Sequence, residues 1–581
     1  MITLGLMVSV NSTAALMVDG EIVACGCEDR FTRQKSVSAY PKNSIDFCLK
    51  YAGASTDQID YVMLPYKDID FTNPVHWITN YDATYSMEDK IREQHEYFKP
   101  LLIEKRDVDY LEIFKEKIIP ERMEIIKRSR NGDFLDTCIE EHLGIGRNKV
   151  MRLDHHASHK YYALYSNCAL KDPSLIFCME GYGGESNGSV TVYRNGKMSV
   201  LYKTPYCWIA RLYRYITLLL GMKSNEHEYK VMGLAPYSSG YTLKKPLEIF
   251  RETAYVDGLE IKFKHKPKNI YFYFKEKLEP YRFDGIAGAL QRYTEEIICE
   301  WVRNAIIQTG VKDVVFTGGV AQNIKAMMEL KEIPELDSLW VGATSSDEST
   351  AMGVLFQGAH ERGIYLKTLK DVYLGSEYDE ETIQKFITSK RLNEKYKVVE
   401  NPEIYDIARR LESGEVMARF CGRAEFGARA LGNRSILANP AYPNIVRIIN
   451  EKIKNRDFWM PFAPVILHER HKDYLVNGKD IECPYMTIGF ESTELARKHL
   501  PGALHPYDYT ARPQILRETD NPSYYSLIKA FEKLTGIGGL LNTSFNLHGE
   551  PIVHSLQDAL YVFEKSSLDF LQLGNNLIIK E

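Results

Sequence analysis

The chain has 581 residues, more than one hydrophobic core organises, so two or more domains are expected. Hydrophobic residues make up 44% and charged residues 26%, the balance of an ordinary globular protein without low-complexity tracts. The net charge of -5 gives no footprint for nucleic acid, and no run approaches the roughly 20 apolar residues that span a bilayer.

The opening MITLGLMVSVNSTAALMVDG is apolar, lacks a basic leader and is interrupted by Asn11, Ser12 and Thr13. It predicts strand, turn and strand rather than a signal peptide, and Asp19-Gly20 marks a hairpin turn. A small-residue turn between two opening strands is how actin-like ATPases and sugar kinases begin. Residues 85–145 are charged, aromatic and helically periodic, and predict an inserted helical region. SLIFCMEGYGGESNGSVTVYRNGKMSVLY, from residue 174, predicts three strands, with Asn195-Gly196 as a hairpin turn. A long helix is expected over 287–308. DVVFTGGVAQNIKAMMEL and SLWVGATSSDESTAMGVLFQGA then read as two successive strand–turn–helix units of a mixed α/β core. The charged stretch 365–400 is the expected junction, which divides the chain into 1–365 and 366–581. The ten cysteines form no CxxC pair, so thiols in a reducing cytoplasm are expected rather than a zinc ribbon or a disulfide framework.

Five constellations can carry chemistry. In DHHASH, His155 and His159 are four apart and share one face of a helix. With Glu180 and Asp347, each where a β-like run meets a small-residue turn, they offer a donor set suited to iron, manganese or zinc. The bland reading is a capped helix with surface histidines and turn carboxylates. Gly318 and Gly319 precede a helix, as anion sites do, but close helix–strand packing is the favoured reading of a lone Gly-Gly turn. Glu228 offers a base and Lys230 a grip on an anion, against an ordinary exposed pair at a helix end. Arg423, Arg429 and Arg434 lie among small residues that let a backbone approach a ligand, which favours phosphate recognition over a solvated charge run. Lys454, Arg456 and Arg512, with Asn542, Ser544 and Asn546, offer cations, hydroxyls and amides for a triphosphate and a small acyl phosphate.

These pieces stand together in EDRFTRQK, DHHASH, EYKVMGLAPY, TGGVAQN, GRAEFGARALGNRSILANP, INEKIKNRDFWMPFAP, HPYDYTARPQ and LLNTSFNLHGEPIV. In this the chain resembles, over nearly its full length, the O-carbamoyltransferases of the nodulation-protein and cephem or aminoglycoside antibiotic type. The resemblance implies an α/β protein with an N-terminal actin-like (ASKHA, threonylcarbamoyltransferase-like) domain and a C-terminal YrdC-like α/β domain. It puts metal ligands on His155, His159 and Asp347, with Glu180 at a further carboxylate position and iron as the expected ion. It puts the YrdC-like tetrad on Lys454, Arg456, Ser544 and Asn546. Nucleotide contacts would extend to Arg423, Arg429, Arg434, Arg512, Asn542, Gly318, Gly319 and Asn323.

The implied chemistry joins carbamoyl phosphate and ATP, with Mg²⁺ accompanying the nucleotide, into carbamoyl-adenylate in the C-terminal domain. The N-terminal domain then passes the carbamoyl group to a hydroxyl of a small natural product, sugar or glycan, with Glu228 as base. Such an enzyme is expected in the cytoplasm, with no nucleic-acid or membrane partner and with a homodimer as the assembly it allows. The chain departs from the family pattern at two places. Val10-Asn11 stands where His-Asp is usual, and Glu180 where aspartate is usual. Two other readings stay open: an actin-like carbohydrate kinase or ATPase, and a nucleotide-binding regulator that has lost transfer activity.

Overall fold

A computed structural model describes residues 1–66, 86–117, 134–167, 170–454 and 456–580. They divide into two compact units. One holds Met1–Asp29, Ser36–Leu339 and Ser345–Leu369; the other holds Arg30–Lys35, Trp340–Thr344 and Lys370–Glu581.

In the first unit, β1 (Ile2–Met7), β2 (Thr13–Val18), β3 (Glu21–Cys27), β4 (Ile59–Leu64) and β5 (Val150–Arg152) form a sheet in the order β3-β2-β1-β4-β5. β1, β2 and β3 are an antiparallel meander, and β4 and β5 add to it in parallel. Asp19 and Gly20 both have positive φ, the requirement of the tight hairpin turn expected there. Next come β6 (Ser174–Met179), β7 (Gly188–Arg194), β8 (Lys197–Thr204), a small hairpin of β9 (Ala254–Asp257) and β10 (Glu260–Phe263), then β11 (Asp313–Thr317) and β12 (Ser338–Trp340). The second sheet runs β12-β11-β6-β7-β8 and repeats the plan of the first: an antiparallel meander β6-β7-β8 with β11 parallel to β6. Two copies of one strand order are the actin-like architecture the sequence implies. The helix Thr350–Glu361 crosses the first sheet so closely that a Cβ on Gly5 would lie 2.0 Å from the Ala351 carbonyl oxygen. That contact explains a glycine inside an otherwise apolar strand.

Of the expected insertion at 85–145, residues 86–117 and 134–145 are described, and the remainder lies outside the described residues. Helices Met87–Arg92 and Phe134–Leu143 and a π-helical run Glu93–Glu104 occupy the described part. The long helix spans Phe283–Thr309.

The second unit is a mixed sheet of β13 (Lys397–Glu400), β14 (Met417–Phe420), β15 (Arg434–Ala438), β16 (Ala463–Leu467), β17 (Gln514–Leu516), β18 (Gly539–Ser544), β19 (Phe570–Leu573) and β20 (Asn576–Ile579). Its order is β13-β20-β19-β14-β15-β18-β16-β17. Its core gathers Val416, Phe420, Leu541, Phe545, Val553 and Phe563, all buried. Burial at this scale is the main force holding such a unit together. Among the described residues no helix is long and apolar enough to cross a membrane.

Candidate active site

The helix His155–Tyr165 begins where the Asp154 side chain accepts a hydrogen bond from the Ala157 amide at 2.5 Å. This cap sets the helical phase and brings His155 and His159 onto one face, with ring centroids 5.0 Å apart. Glu180 follows directly on β6, and Asp347 opens a short turn after β12. One ligand atom from each of the four lies within 4.8 Å of the others. His155 Nε2 is 3.0 Å from Glu180 Oε2 and 3.8 Å from Asp347 Oδ1; His159 Nε2 is 3.4 Å and 3.6 Å from the same two atoms. The histidines and Glu180 are buried, while Asp347 is about one-third exposed and gives the cluster its opening to solvent.

The electrostatics show what this cluster lacks. Both nitrogens of His155 and of His159, and Glu180 Oε2, are buried without a hydrogen-bond partner. Burial disfavours charge on His159, but Glu180 and Asp347 outweigh it and push its pKa up to about 10. Burial likewise works against a charged Glu180, yet His155, His159 and His156 hold its carboxyl well below the ordinary range. Two imidazoles with two carboxylates could hold a divalent metal ion.

Two residues that the sequence left unassigned complete the surroundings. His156, next on the helix and turned away from its neighbours, holds Glu180 Oε1 through Nδ1 and meets Ser189 Oγ at 2.7 Å through Nε2. Tyr66 stacks on His155 with ring centroids 6.3 Å apart, and its hydroxyl accepts from the Val8 amide. The first turn, with Val10-Asn11 in place of His-Asp, is therefore one tyrosine away from the cluster.

The other expected residues of this unit lie at several places. A Cβ on Gly318, at φ +84°, would lie 2.2 Å from the Met179 carbonyl oxygen, so this glycine permits close packing of the turn. Gly319 has open space around it. Asn323 caps the helix Ile324–Glu332 through the Ala326 amide and exchanges hydrogen bonds with Gln291, so its amide is spent on structure. Glu228 opens the helix Glu228–Leu234 and accepts from the Asn225 amide at 2.6 Å. Burial pushes its carboxyl up to about 6, with the Asn225 amide, Arg214 and Lys90 pulling the other way. Lys90, from the insertion, is itself buried and lowered to about 8. Lys230 lies two residues on, partly exposed.

The second unit gathers cations. The Lys454 ammonium is 2.6 Å from the Ser544 carbonyl oxygen, 3.0 Å from that of Asn546 and 2.5 Å from Asn546 Oδ1. Ser544 Oγ donates to the same Oδ1 at 2.7 Å, and Arg456 donates to Thr543 Oγ1 at 3.2 Å. Burial, then Arg456 and Lys35, hold Lys454 well below the ordinary lysine range; burial, then Arg429 and Arg456, do the same to Arg512. Cations crowded this closely, with hydroxyls and an amide beside them, could hold an anion. Lys35, in the string EDRFTRQK, joins this group although nothing local in the sequence marks it. It reaches this unit because Arg30, five residues earlier, donates to the carbonyls of Glu425 and Gly427.

The arginine loop divides. Arg429 faces Arg512, while Arg423 donates to the Gly375 carbonyl at 3.3 Å. Arg434 corrects the expectation of a phosphate contact. It is fully buried, donates to the carbonyls of Cys421, Asn433, Ser376 and Gly422, and lies 3.7 Å over the Phe420 ring. Both terminal nitrogens of its fork are held by backbone carbonyls, while its Nε has no partner. Arg434→Met is expected to destabilise the protein by about 3 kcal/mol, because it orphans several buried carbonyls. Urea unfolding of the full chain would show this as a transition at lower urea; an unchanged transition would contradict it. Asn542, likewise buried, donates to the Ala430 carbonyl at 3.0 Å and ties the loop to β18.

The sequence matches the family description Carbamoyltransferase N-terminus over residues 3–355 and Carbamoyltransferase C-terminus over residues 408–580. It is 28% identical to an uncharacterized protein of Synechocystis, covering 98% of this chain and 95% of that protein. It is 28% identical to nodulation protein NolNO of Sinorhizobium fredii, over 98% of this chain and 79% of that protein. It is 30% identical to nodulation protein NolO of Bradyrhizobium diazoefficiens, over 74% and 79% respectively.

Proposed function

The chain belongs to the carbamoyltransferase family, and on that premise we propose that it is an ATP-dependent O-carbamoyltransferase. The unit containing Lys454, Arg456, Arg512, Arg429 and Lys35 forms carbamoyl-adenylate from carbamoyl phosphate and ATP. One water is consumed, and phosphate and pyrophosphate leave. The unit containing the histidine cluster passes the carbamoyl group to a hydroxyl of a small natural product, sugar or glycan, and AMP departs. The observation that carries this reading is the convergence of Lys454, Arg456, Arg512 and Arg429, whose charges act on one another beside Ser544 and Asn546; it suits two phosphorylated substrates and exceeds what a simple kinase needs.

His155, His159, Asp347 and Glu180 would hold a divalent ion, iron by preference, whose contribution when bound is to polarise the carbamoyl carbonyl. The chain's own residues do the rest. Cations orient the phosphates and spread their charge, and the AMP leaving group makes transfer to an alcohol feasible. Glu228 removes the acceptor's proton. The reading places the enzyme in the cytoplasm, with a homodimer as its assembly, Mg²⁺ accompanying ATP, and neither nucleic acid nor membrane as partner. Purified protein supplied with ATP, carbamoyl phosphate and a panel of hydroxyl acceptors is expected to release pyrophosphate only when carbamoyl phosphate is present. Production of ADP instead would favour a kinase.

The base assignment predicts a pH profile. A carboxyl with a pKa of about 6 is a base only when deprotonated, so transfer should fall as the pH drops through 6. One unit below that pKa the rate should be roughly tenfold down. Glu228→Gln should lower the rate and flatten this acid limb. A mutant that keeps the wild-type limb would remove Glu228 from the role.

A further inference from the structure

Glu180 presents its two oxygens to two separate sets of donors. Oε2 faces His155 and His159. Oε1 faces His156 Nδ1 and lies 4.0 Å from Cys178 Sγ, which is itself 3.5 Å from that nitrogen. His156, Cys178 and Glu180 are all buried, and their ligand atoms lie within 4.8 Å of one another. We propose that these three residues form a second metal site, for a zinc-class divalent ion, and that Glu180 bridges it to the first.

Bond lengths support the spacing. Tetrahedral coordination with metal–nitrogen and metal–sulfur bonds of about 2.1 and 2.3 Å separates neighbouring donors by roughly 3.5 Å. The nitrogen–sulfur distance is 3.5 Å and the sulfur–oxygen distance 4.0 Å, while His156 Nδ1 and Glu180 Oε1 are in direct contact and would part to admit an ion. A thiolate, an imidazole and a carboxylate suit a borderline-soft ion, whereas the first set, with nitrogen and oxygen alone, is harder. Ser189 Oγ, accepting from His156 Nε2–H, would leave Nδ1 as the free lone pair, which is the arrangement of a ligating histidine with a fixed tautomer.

The local chain makes room for this. Cys178 and Glu180 are two apart at the end of β6, so both point to the same side of the sheet. The absence of a side chain at Gly183 admits Oε1, since a Cβ there would lie 2.4 Å from it. Glutamate where the family pattern has aspartate gains a methylene of reach, which lets one carboxylate span two positions. Binding would release the thiol proton of Cys178.

The alternative is that His156 merely donates to Glu180 and orients it for a single ion. Titrating chelator-stripped full-length protein with Co²⁺ separates the two. Two equivalents should bind, with a near-ultraviolet thiolate-to-cobalt charge-transfer band. Cys178→Ser should abolish that band and one equivalent, and His156→Gln should do the same. One equivalent without the band in the wild-type protein, no bound cobalt, or a band that survives Cys178→Ser would each overturn the second site. None of these outcomes bears on whether the cation group in the other unit makes an adenylate, which pyrophosphate release reads separately.

Discussion

Lys454→Ala is expected to abolish pyrophosphate release from ATP and carbamoyl phosphate, by on the order of 100- to 1,000-fold. The ammonium sits 2% exposed, gripped by Ser544 and Asn546 and facing Arg456 and Lys35. Holding a buried cation beside other cations costs free energy, and binding an anion recovers it. Two effects therefore vanish together in the alanine variant: a positive charge for the phosphates, and the clamp that fixes the β18 end. Arg456→Ala should behave similarly, since its guanidinium acts on both Lys454 and Arg512. Lys454→Arg should not rescue, because the slot between two carbonyls and an amide fits an ammonium point charge and not a planar fork. Pyrophosphate release, read as the phosphate gained on adding inorganic pyrophosphatase, with and without carbamoyl phosphate, decides the matter. A variant that retains wild-type release would remove Lys454 from adenylate formation.

What the sequence made legible was local. The spacing of His155 and His159 is a helical repeat, and an N-capping Asp154 sets its phase, so their convergence followed from five residues. Asp19-Gly20 and Asn195-Gly196 announced hairpins because only certain residues adopt positive φ easily. Glu180 and Asp347 were placed by the habit of functional side chains to end strands. His156 was passed over because a helix turns its neighbour about 100°, away from the His155 face, and nothing local says what it meets there. It meets Glu180 and Ser189, which are remote in sequence. Lys35 was missed for the same reason: its partner Lys454 is far along the chain.

The arginine loop failed differently. Gly422, Gly427 and Gly432 all have positive φ, so no single period governs the direction of the side chains between them. Arg429 faces Arg512, while Arg434 starts β15 and is drawn inward. Composition promised three equivalent phosphate forks; backbone geometry made one a strut. Asn323 caps a helix, and a helix cap and a ligand contact call for the same side chain at the same place.

His159→Ala is expected to do the converse of Lys454→Ala. It should leave pyrophosphate release intact and cut carbamoyl transfer to acceptor by roughly 100- to 1,000-fold. The side chain has no exposure and no hydrogen-bond partner, and both carboxylates of the cluster lie within 3.6 Å of its Nε2. Removing it leaves Glu180 and Asp347 with His155 alone against them, so the cluster loses affinity for a divalent ion as well as half of its neutral donors. Its partners all belong to the unit with the duplicated sheet, and none belongs to the group around Lys454. Nothing in that list gives it a hand in activating carbamoyl phosphate. The two half-reactions should therefore separate: AMP and pyrophosphate continue to form as the adenylate is lost to water, while mass spectrometry finds no carbamoylated acceptor. Bound metal, measured on the same preparation, should fall in parallel with transfer. Equal loss of both half-reactions in His159→Ala and Lys454→Ala, with folding intact, would sink the division of labour and point to one composite site.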